Sequence, residues 1–308
     1  MIKYHKTING RIREVEQYET GCWVRCIDPN ETEINYIMKE FKIDADLLKS
    51  SLDEEESTHI DTEGENTLII IDSPVVDKTG NNFTYYTNPM SIILTSENII
   101  TIALKENSIM DEFAEGAIRS AYPENKVRFA LQILFRTAVK YLQYLTQINK
   151  ITQRVEEELK KNMKNEELIQ LVEIEKSLVY FSASLKSVNG MLRKLSRGKY
   201  VKLNEEELDL LEDVMLEITQ ASEMSEIYLD ILSTSMEAYS SLISNNLDVS
   251  MKYLASITLI LSMPTIVSGI YGMNNPGIPL MENTWAPFIL MGISIFVTWI
   301  VLKYKKML

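Results

Sequence analysis

Histidine and cysteine are scarce. The 308 residues hold two of each, His5 and His59, Cys22 and Cys26. Neither histidine has a ligand-like neighbour in sequence, so a site for soft metals is poorly supplied. Two thiols are too few for a disulfide framework or a tetrahedral thiolate site. Four apart on a strand, Cys22 and Cys26 share a face and read as small core residues. Positive charge is also short: 31 Lys and Arg stand against 44 Asp and Glu, a formal net charge of −13. Neutralising phosphate takes clustered Lys and Arg, so no nucleic-acid partner is expected. There is no Gly-rich phosphate loop and no nucleophile elbow. No nucleophile–base pair is suggested either, so an enzyme has little support and no cofactor is expected. The opening residues Met1 to Lys6 carry no apolar h-region, so a secretory leader is not expected and the large polar part is placed in the cytoplasm.

Surplus carboxylate raises the local concentration of cations, although solubility accounts for most of the acids equally well. Long hydrophobic runs are absent from the first 250 residues, and then two arrive together. Tyr253 to Tyr271 is 19 residues without a charge, and Trp285 to Leu302 is 18. Each is just long enough to cross a bilayer. Lys252 precedes the first, and Lys303, Lys305 and Lys306 follow the second, while residues 275–284 contain no Lys or Arg. The positive-inside rule then puts both termini in the cytoplasm and the loop outside, in a cell inner or plasma membrane, with Trp285 and Tyr304 as interfacial anchors.

The fold class expected is an α+β cytoplasmic domain, a mixed sheet with helices, followed by a very long stalk helix and two C-terminal transmembrane helices: a multi-pass membrane protein. The divisions fall at 1–122 for the α/β part, 123–252 for a helical hairpin and stalk, and 253–308 for the membrane part. The spans cover about 253–272 and 285–302, with an outer loop over 275–284. In the first division a strand fits Gly21 to Ile27. A turn at Asp28-Pro29-Asn30 then caps a helix over Glu31 to Phe41, and a short helix fits Asp44 to Leu52. A polar acidic run follows, Asp53 to His59. Strands fit Thr67 to Asp72, Phe83 to Thr87, Ser91 to Thr95 and Ile99 to Leu104, with Gly80-Asn81-Asn82 as a hairpin turn.

From Pro123 the pattern is helical. Three-four apolar spacing marks Val127 to about Asn162, then Asn165 to Leu195, an antiparallel pair broken at Ser196-Arg197-Gly198-Lys199. A third helix starts at the N-cap Asn204, with Glu205, Glu206 and Glu207 in its first turn. No stop appears before Gly272. At 1.5 Å per residue that is a rod of roughly 100 Å, of which a hydrocarbon core of about 30 Å takes only part. Its apolar stripe, Leu208, Leu211, Met215, Ile218, Met224, Ile231, Tyr239 and Leu242, calls for partners, so oligomerisation follows from packing.

The two spans differ. The second is greasy throughout and suits lipid. The first carries Thr258, Ser262, Thr265 and Gly269, stepping by four, three and four along one face. That face continues inward through Leu254 and Met251 to Asp248, and outward to Asn274. A face that is polar, then bulky and apolar, then acidic suits a pore with a hydrophobic gate. Packing between membrane helices uses the same small residues and hydroxyls.

Ile270-Tyr271-Gly272-Met273-Asn274, closing the first of two C-terminal spans after a Met263-Pro264-Thr265 step, resembles the signature of the CorA family of magnesium transporters and channels. The approach Asn245 to Asp248 through Met251-Lys252 is similar too, and a looser likeness extends over Trp23, Pro29 and Leu52-Asp53. The resemblance implies a homopentamer of this chain in membrane lipid, conducting hydrated divalent cations. Magnesium dehydrates reluctantly, and the role implied for Asn274 is a ring of side-chain carbonyls accepting hydrogen bonds from the ion's water. Gly272 is expected to let the backbone turn sharply, and Met273 to pack rather than bind. Glu282, the one acid of the outer loop, is expected to draw cations to the mouth. The family's usual Met-Pro-Glu-Leu-like loop is replaced here by Pro279-Leu280-Met281-Glu282. Asp248 stands where the family usually has Asn, which would deepen the inner cation well.

The family is thought to close when cytoplasmic divalent ions bridge acids between subunits. Counting back from Asp248, Asp213 falls on a sensing carboxylate, with Glu212 beside it. An ordinary solvated helix face explains the same acids. Two alternatives stay open: a relative moving cobalt, nickel or zinc, and a membrane-anchored coiled-coil sensor that transports nothing.

Overall fold

The computed structural model describes residues 1–79, 82–162, 165–273, 278–280, 283–305 and 307. Two compact units emerge, Met1–Thr234 and Ser235–Leu308. The divisions expected at 122 and 252 follow composition; these units follow contacts.

The first unit is built on a seven-stranded sheet. Its strands are β1 (Ile2–Ile8), β2 (Arg11–Val15), β3 (Trp23–Ile27), β4 (His59–Glu63), β5 (Asn66–Thr79), β6 (Asn82–Leu94) and β7 (Ile99–Ala103), in the order β2-β1-β3-β7-β6-β5-β4. Only the β3–β7 pairing is parallel, so the sheet is mixed. The sequence reading began its strands at residue 21 and passed over β1, β2 and β4. Asn9-Gly10 was the available signal: both adopt positive φ, 53° and 73°, the geometry of a two-residue hairpin turn.

One long strand, β6, replaces the two expected over Phe83–Thr87 and Ser91–Thr95. Pro89 lies inside it opposite Asp72, and Pro74 of β5 lies opposite Thr87. Both are tolerated because β7 pairs only with Met90–Leu94 and β4 only with Asn66–Ile70. Each proline therefore sits on a free edge, where no ladder bond is lost. The expected turn at Gly80-Asn81 lies outside the described residues.

Helices cover both faces. On one side α1 (Glu31–Glu40) and α2 (Ala45–Ser50) lie over a core of Cys22, Val24, Cys26, Leu68, Ile70, Ile93, Ile100 and Ile102. Cys22 and Cys26 are both buried free thiols there. Asn30 and Glu33 form a capping box that starts α1, and Asp44 caps α2. On the other side lie α3 (Ser108–Ala114), α4 (Lys126–Asn162) and α5 (Asn165–Leu195). Trp23 turns to that side, packs on Phe129 at 5.4 Å and donates its indole N–H to Thr101 Oγ1 at 2.8 Å. Tyr141 of α4 packs on Phe181 of α5 at 5.0 Å.

Polar ties fix this helical layer to the sheet. Tyr141 donates to the Asp72 carbonyl at 3.0 Å, and Ser184 donates to the Asp72 carboxylate at 2.6 Å. Burial raises the Asp72 pKa and outweighs that hydrogen bond. Glu112 of α3 receives Arg136 and Lys140 of α4. Its burial opposes ionisation, but the two cations prevail and its pKa falls.

The longest helix, α6 (Glu205–Tyr271), is capped by Asn204. Asn204 Oδ1 accepts from the Glu207 N–H and Glu207 accepts from the Asn204 N–H, each at 2.9 Å, a second capping box. Its early turns pack on α5: Ser225 donates to the Leu178 carbonyl at 3.2 Å and Ser233 to Glu175 at 2.7 Å. The buried face runs Leu211, Val214, Ile218, Ala221, Ser225 and Leu232. The expected stripe shared Leu211 and Ile218 with it, but Leu208 and Ile231 are exposed, at 40% and 57%. α5 leaves Leu208 and Ile231 uncovered, and exposure within one chain does not bear on the partners that the stripe is expected to meet.

The second unit comprises the rest of α6 and α7 (Ala286–Tyr304). Both helices contain a stretch long and apolar enough to cross a membrane.

His5 gives the first unit a pH signature. It is buried beside Trp23, its Nδ1 lacks a hydrogen-bond partner, and burial followed by the nearby Arg25 charge lowers its pKa to about 4. The unfolded chain takes up that proton near pH 6.5, before the folded chain does. The contribution is therefore complete above pH 6.5 and is lost as pH falls toward 4, to a total of about 3 kcal/mol. Denaturation midpoints followed by circular dichroism should drop across this window, and His5→Phe should remove that part of the drop.

Candidate functional site

The site expected from sequence lies along the membrane part of α6. Met251 and Leu254 are 69% and 66% exposed. Thr258, Thr265 and Gly269 are exposed and Ser262 is half-buried. Thr258 Oγ1 donates to the Leu254 carbonyl at 2.9 Å, Ser262 Oγ to the Thr258 carbonyl at 2.7 Å and Thr265 Oγ1 to the Leu261 carbonyl at 3.1 Å. Each hydroxyl hydrogen is thus committed to its own helix, and each oxygen keeps lone pairs to offer outward. Such a row accepts hydrogen bonds, which suits a cation that arrives with its water.

The contacts with α7 use a different face. Leu259, Met263, Val267 and Ile270 line an apolar groove of about 630 Å³ with Leu290, Ile293, Val297 and others of α7. These residues lie roughly 125° round α6 from the hydroxyl row. Packing within this chain therefore does not account for that row. The second span is less uniform than expected: Ser294 and Thr298 line the groove, each hydroxyl bonded to its own helix at 2.8 Å. Bonded that way, each keeps an acceptor oxygen, but they are two hydroxyls in an otherwise apolar groove.

Two polar ties close the helix pair at its ends. Tyr271 OH donates to the Pro279 carbonyl at 2.9 Å. Ser256, fully buried, places its Oγ 2.8 Å from the Lys252 carbonyl and 3.1 Å from the Met307 carbonyl. The start of the first span and the end of the second thus meet at one end, and the connection between them lies at the other. Sequence reasoning missed Ser256, because one serine in an apolar helix has no periodicity to give it away.

Gly272 lies in a turn at the end of α6, as expected. Its φ lies outside the positive region, so no glycine-only turn occurs there. An added Cβ would instead stand 3.3 Å from the Ser268 carbonyl oxygen. Met273 is 58% exposed, so the packing expected of it has no counterpart among the described residues of this chain. Asp213 and Asp248 are exposed. Among the described residues no three His, Cys, Asp or Glu side chains gather to hold a metal. Asn274 and Glu282 lie outside the described residues.

A family model for CorA-like Mg2+ transporter proteins matches residues 18–306. The chain belongs to this family. Its members are transporters rather than enzymes. The cobalt/magnesium transport protein CorA of Methanocaldococcus jannaschii is 26% identical over 280 residues, 89% of this chain and 86% of that protein. The Thermotoga maritima protein of the same name is 25% identical over 225 residues, 70% and 63% of the two chains. The complete structure of the Methanocaldococcus jannaschii CorA magnesium transporter superposes with a TM-score of 0.82 at 22% identity, over 98% of this chain and 96% of that one. The CorA fold, a mixed-sheet domain leading into a long helix and C-terminal spans, is thus the fold of this chain, and the chain is a membrane protein.

The two glycines that end helices should respond differently to alanine. Gly198 adopts φ +67°, so Gly198→Ala is expected to cost about 1–2 kcal/mol. Gly272→Ala has only the one close contact to relieve and should stay within about 1 kcal/mol of the parent. Thermal unfolding of the two variants checks the order.

Proposed function

We propose that this chain forms a homopentameric channel for hydrated divalent cations, Mg2+ foremost, gated by divalent ions on the cytoplasmic side. One observation carries the reading: the hydroxyl row of α6 turns away from α7 with its oxygens free to accept. Five such faces about an axis make a passage lined by acceptors at Thr258, Ser262 and Thr265, with Gly269 leaving width. Leu254 and Met251 then form an apolar constriction that closes by excluding water, and Asp248 supplies negative charge at its inner side. Asn274, with Gly272 and Met273, is assigned the outer collar. Its carboxamide oxygens accept from the ion's water and do not replace that water, as the reluctance of Mg2+ to dehydrate demands. Glu282 is assigned to the mouth as an attractor, and Asp213 to the closing site. The cation is cargo and regulator, and no resident cofactor is needed.

Membrane orientation follows from charge. Lys252, Lys303, Lys305 and Lys306 flank one end of the helix pair and residues 275–284 carry no Lys or Arg. This supports both termini in the cytoplasm. Passage of cobalt is a second reading, favoured by the names of the two relatives, which are cobalt/magnesium transport proteins. The row offers neither imidazole nor thiolate for tight binding of such ions.

Purified protein in liposomes should take up Mg2+ and run as a pentamer by native mass measurement. A monomer in both detergent and lipid would overturn the assembly. Asn274→Ala should lower Mg2+ uptake by about tenfold or more, the worth of one hydrogen bond to a charged species. Asp213→Ala should keep conducting at internal Mg2+ that closes the parent; unchanged closure would remove Asp213 from the gate.

A further inference from the structure

The geometry points to Ser256 as a positioning residue that ties the tail following α7 to the back of the gate helix. It stands two residues beyond Leu254 and has no exposed surface. Its Oγ lies between the Lys252 carbonyl at 2.8 Å and the Met307 carbonyl at 3.1 Å. Met307 is itself returned toward the helix end by a bond from its N–H to the Leu302 carbonyl at 3.0 Å, and Leu302 is buried. A hydroxyl in hydrocarbon normally spends its hydrogen on its own helix, as Thr258, Ser262 and Thr265 do. Ser256 has the same back-bond within reach and a second, non-local carbonyl beside it.

The placement gives this tie mechanical meaning. Ser256 lies roughly 160° round the helix from Leu254, so it holds the constriction from behind. Farther along, α6 and α7 face each other across the open apolar groove, which resists sliding and rocking weakly because its contacts are nondirectional. Directional bonds occur at the two ends, Tyr271 with Pro279 and Ser256 with Met307. Of these, the Ser256 bond is level with the apolar constriction, so it limits how far that stretch of helix moves away from α7. Its strength sets the balance between the narrow and the wide constriction. This role in gating rests on the channel reading; the tie itself does not.

Two measurements on the full-length protein separate those layers. Amide hydrogen exchange over residues 303–307 in detergent should quicken by about fivefold in Ser256→Ala, the equivalent of one net hydrogen bond. Ser256→Thr, which keeps the hydroxyl, should restore the parent rate. Unchanged exchange in Ser256→Ala would overturn the tie. In liposomes, the internal Mg2+ concentration for half-closure should shift by a similar factor in Ser256→Ala and return in Ser256→Thr, with maximal uptake little changed. A quickened exchange with an unmoved closure curve would leave a tie without a gating role and overturn the inference. A parent protein that passes no ions would overturn the channel reading and the gating role together, while the exchange result would still decide the tie.

Discussion

Hydrocarbon offers no hydrogen bonds, so every polar group carried into it must find a partner in the protein. That constraint shapes the membrane part of this chain. The backbone meets it by remaining helical through Tyr271 and again from Ala286 to Tyr304. Pro264 is the exception inside α6: it has no N–H to give, which leaves the Ile260 carbonyl without its usual helical donor. The hydroxyls meet the constraint by bonding backward to the preceding turn. The consequence is chemical. A row of Thr and Ser that would otherwise offer both donors and acceptors presents acceptors, and acceptors are what a hydrated cation seeks.

The same economy governs the first unit in a wetter setting. Its sheet is covered on both faces, and several polar groups that enter the interior come with partners. Asp72 has Ser184, Asn107 has Ser73, and Trp23 has Thr101. These pairs join elements apart in sequence: Ser184 ties α5 to β5, Asn107 ties the start of α3 to β5, and Trp23 ties β3 to β7. Glu112, between Arg136 and Lys140, does the same for α3 and α4 at the half-buried rim. Other buried groups, Asn88 Nδ2 and Glu167 Oε2 among them, lack a partner, and so does His5 Nδ1, where burial lowers the imidazole pKa to about 4.

Much of the architecture was legible because its signals are local. Both spans show in hydropathy. The long helices show in three-four spacing, and α6 announces its start with Asn204 and three glutamates. What was misread depended on neighbours. The strand over residues 82–94 looked like two, because Pro89 is a breaker only where a ladder bond is required.

The sequence by itself determined that two apolar helices lie in its C-terminal part and that hydroxyls share one face of the first. These follow from composition and from the fixed period of a helix, which need no knowledge of what lies alongside. Only the tertiary structure decided that α7 packs away from the hydroxyl face, that Ser256 meets the Met307 carbonyl, and that β1 and β2 extend the sheet. Those are contacts between residues distant along the chain, and a pattern read along one segment holds no record of the surface that will be laid against it.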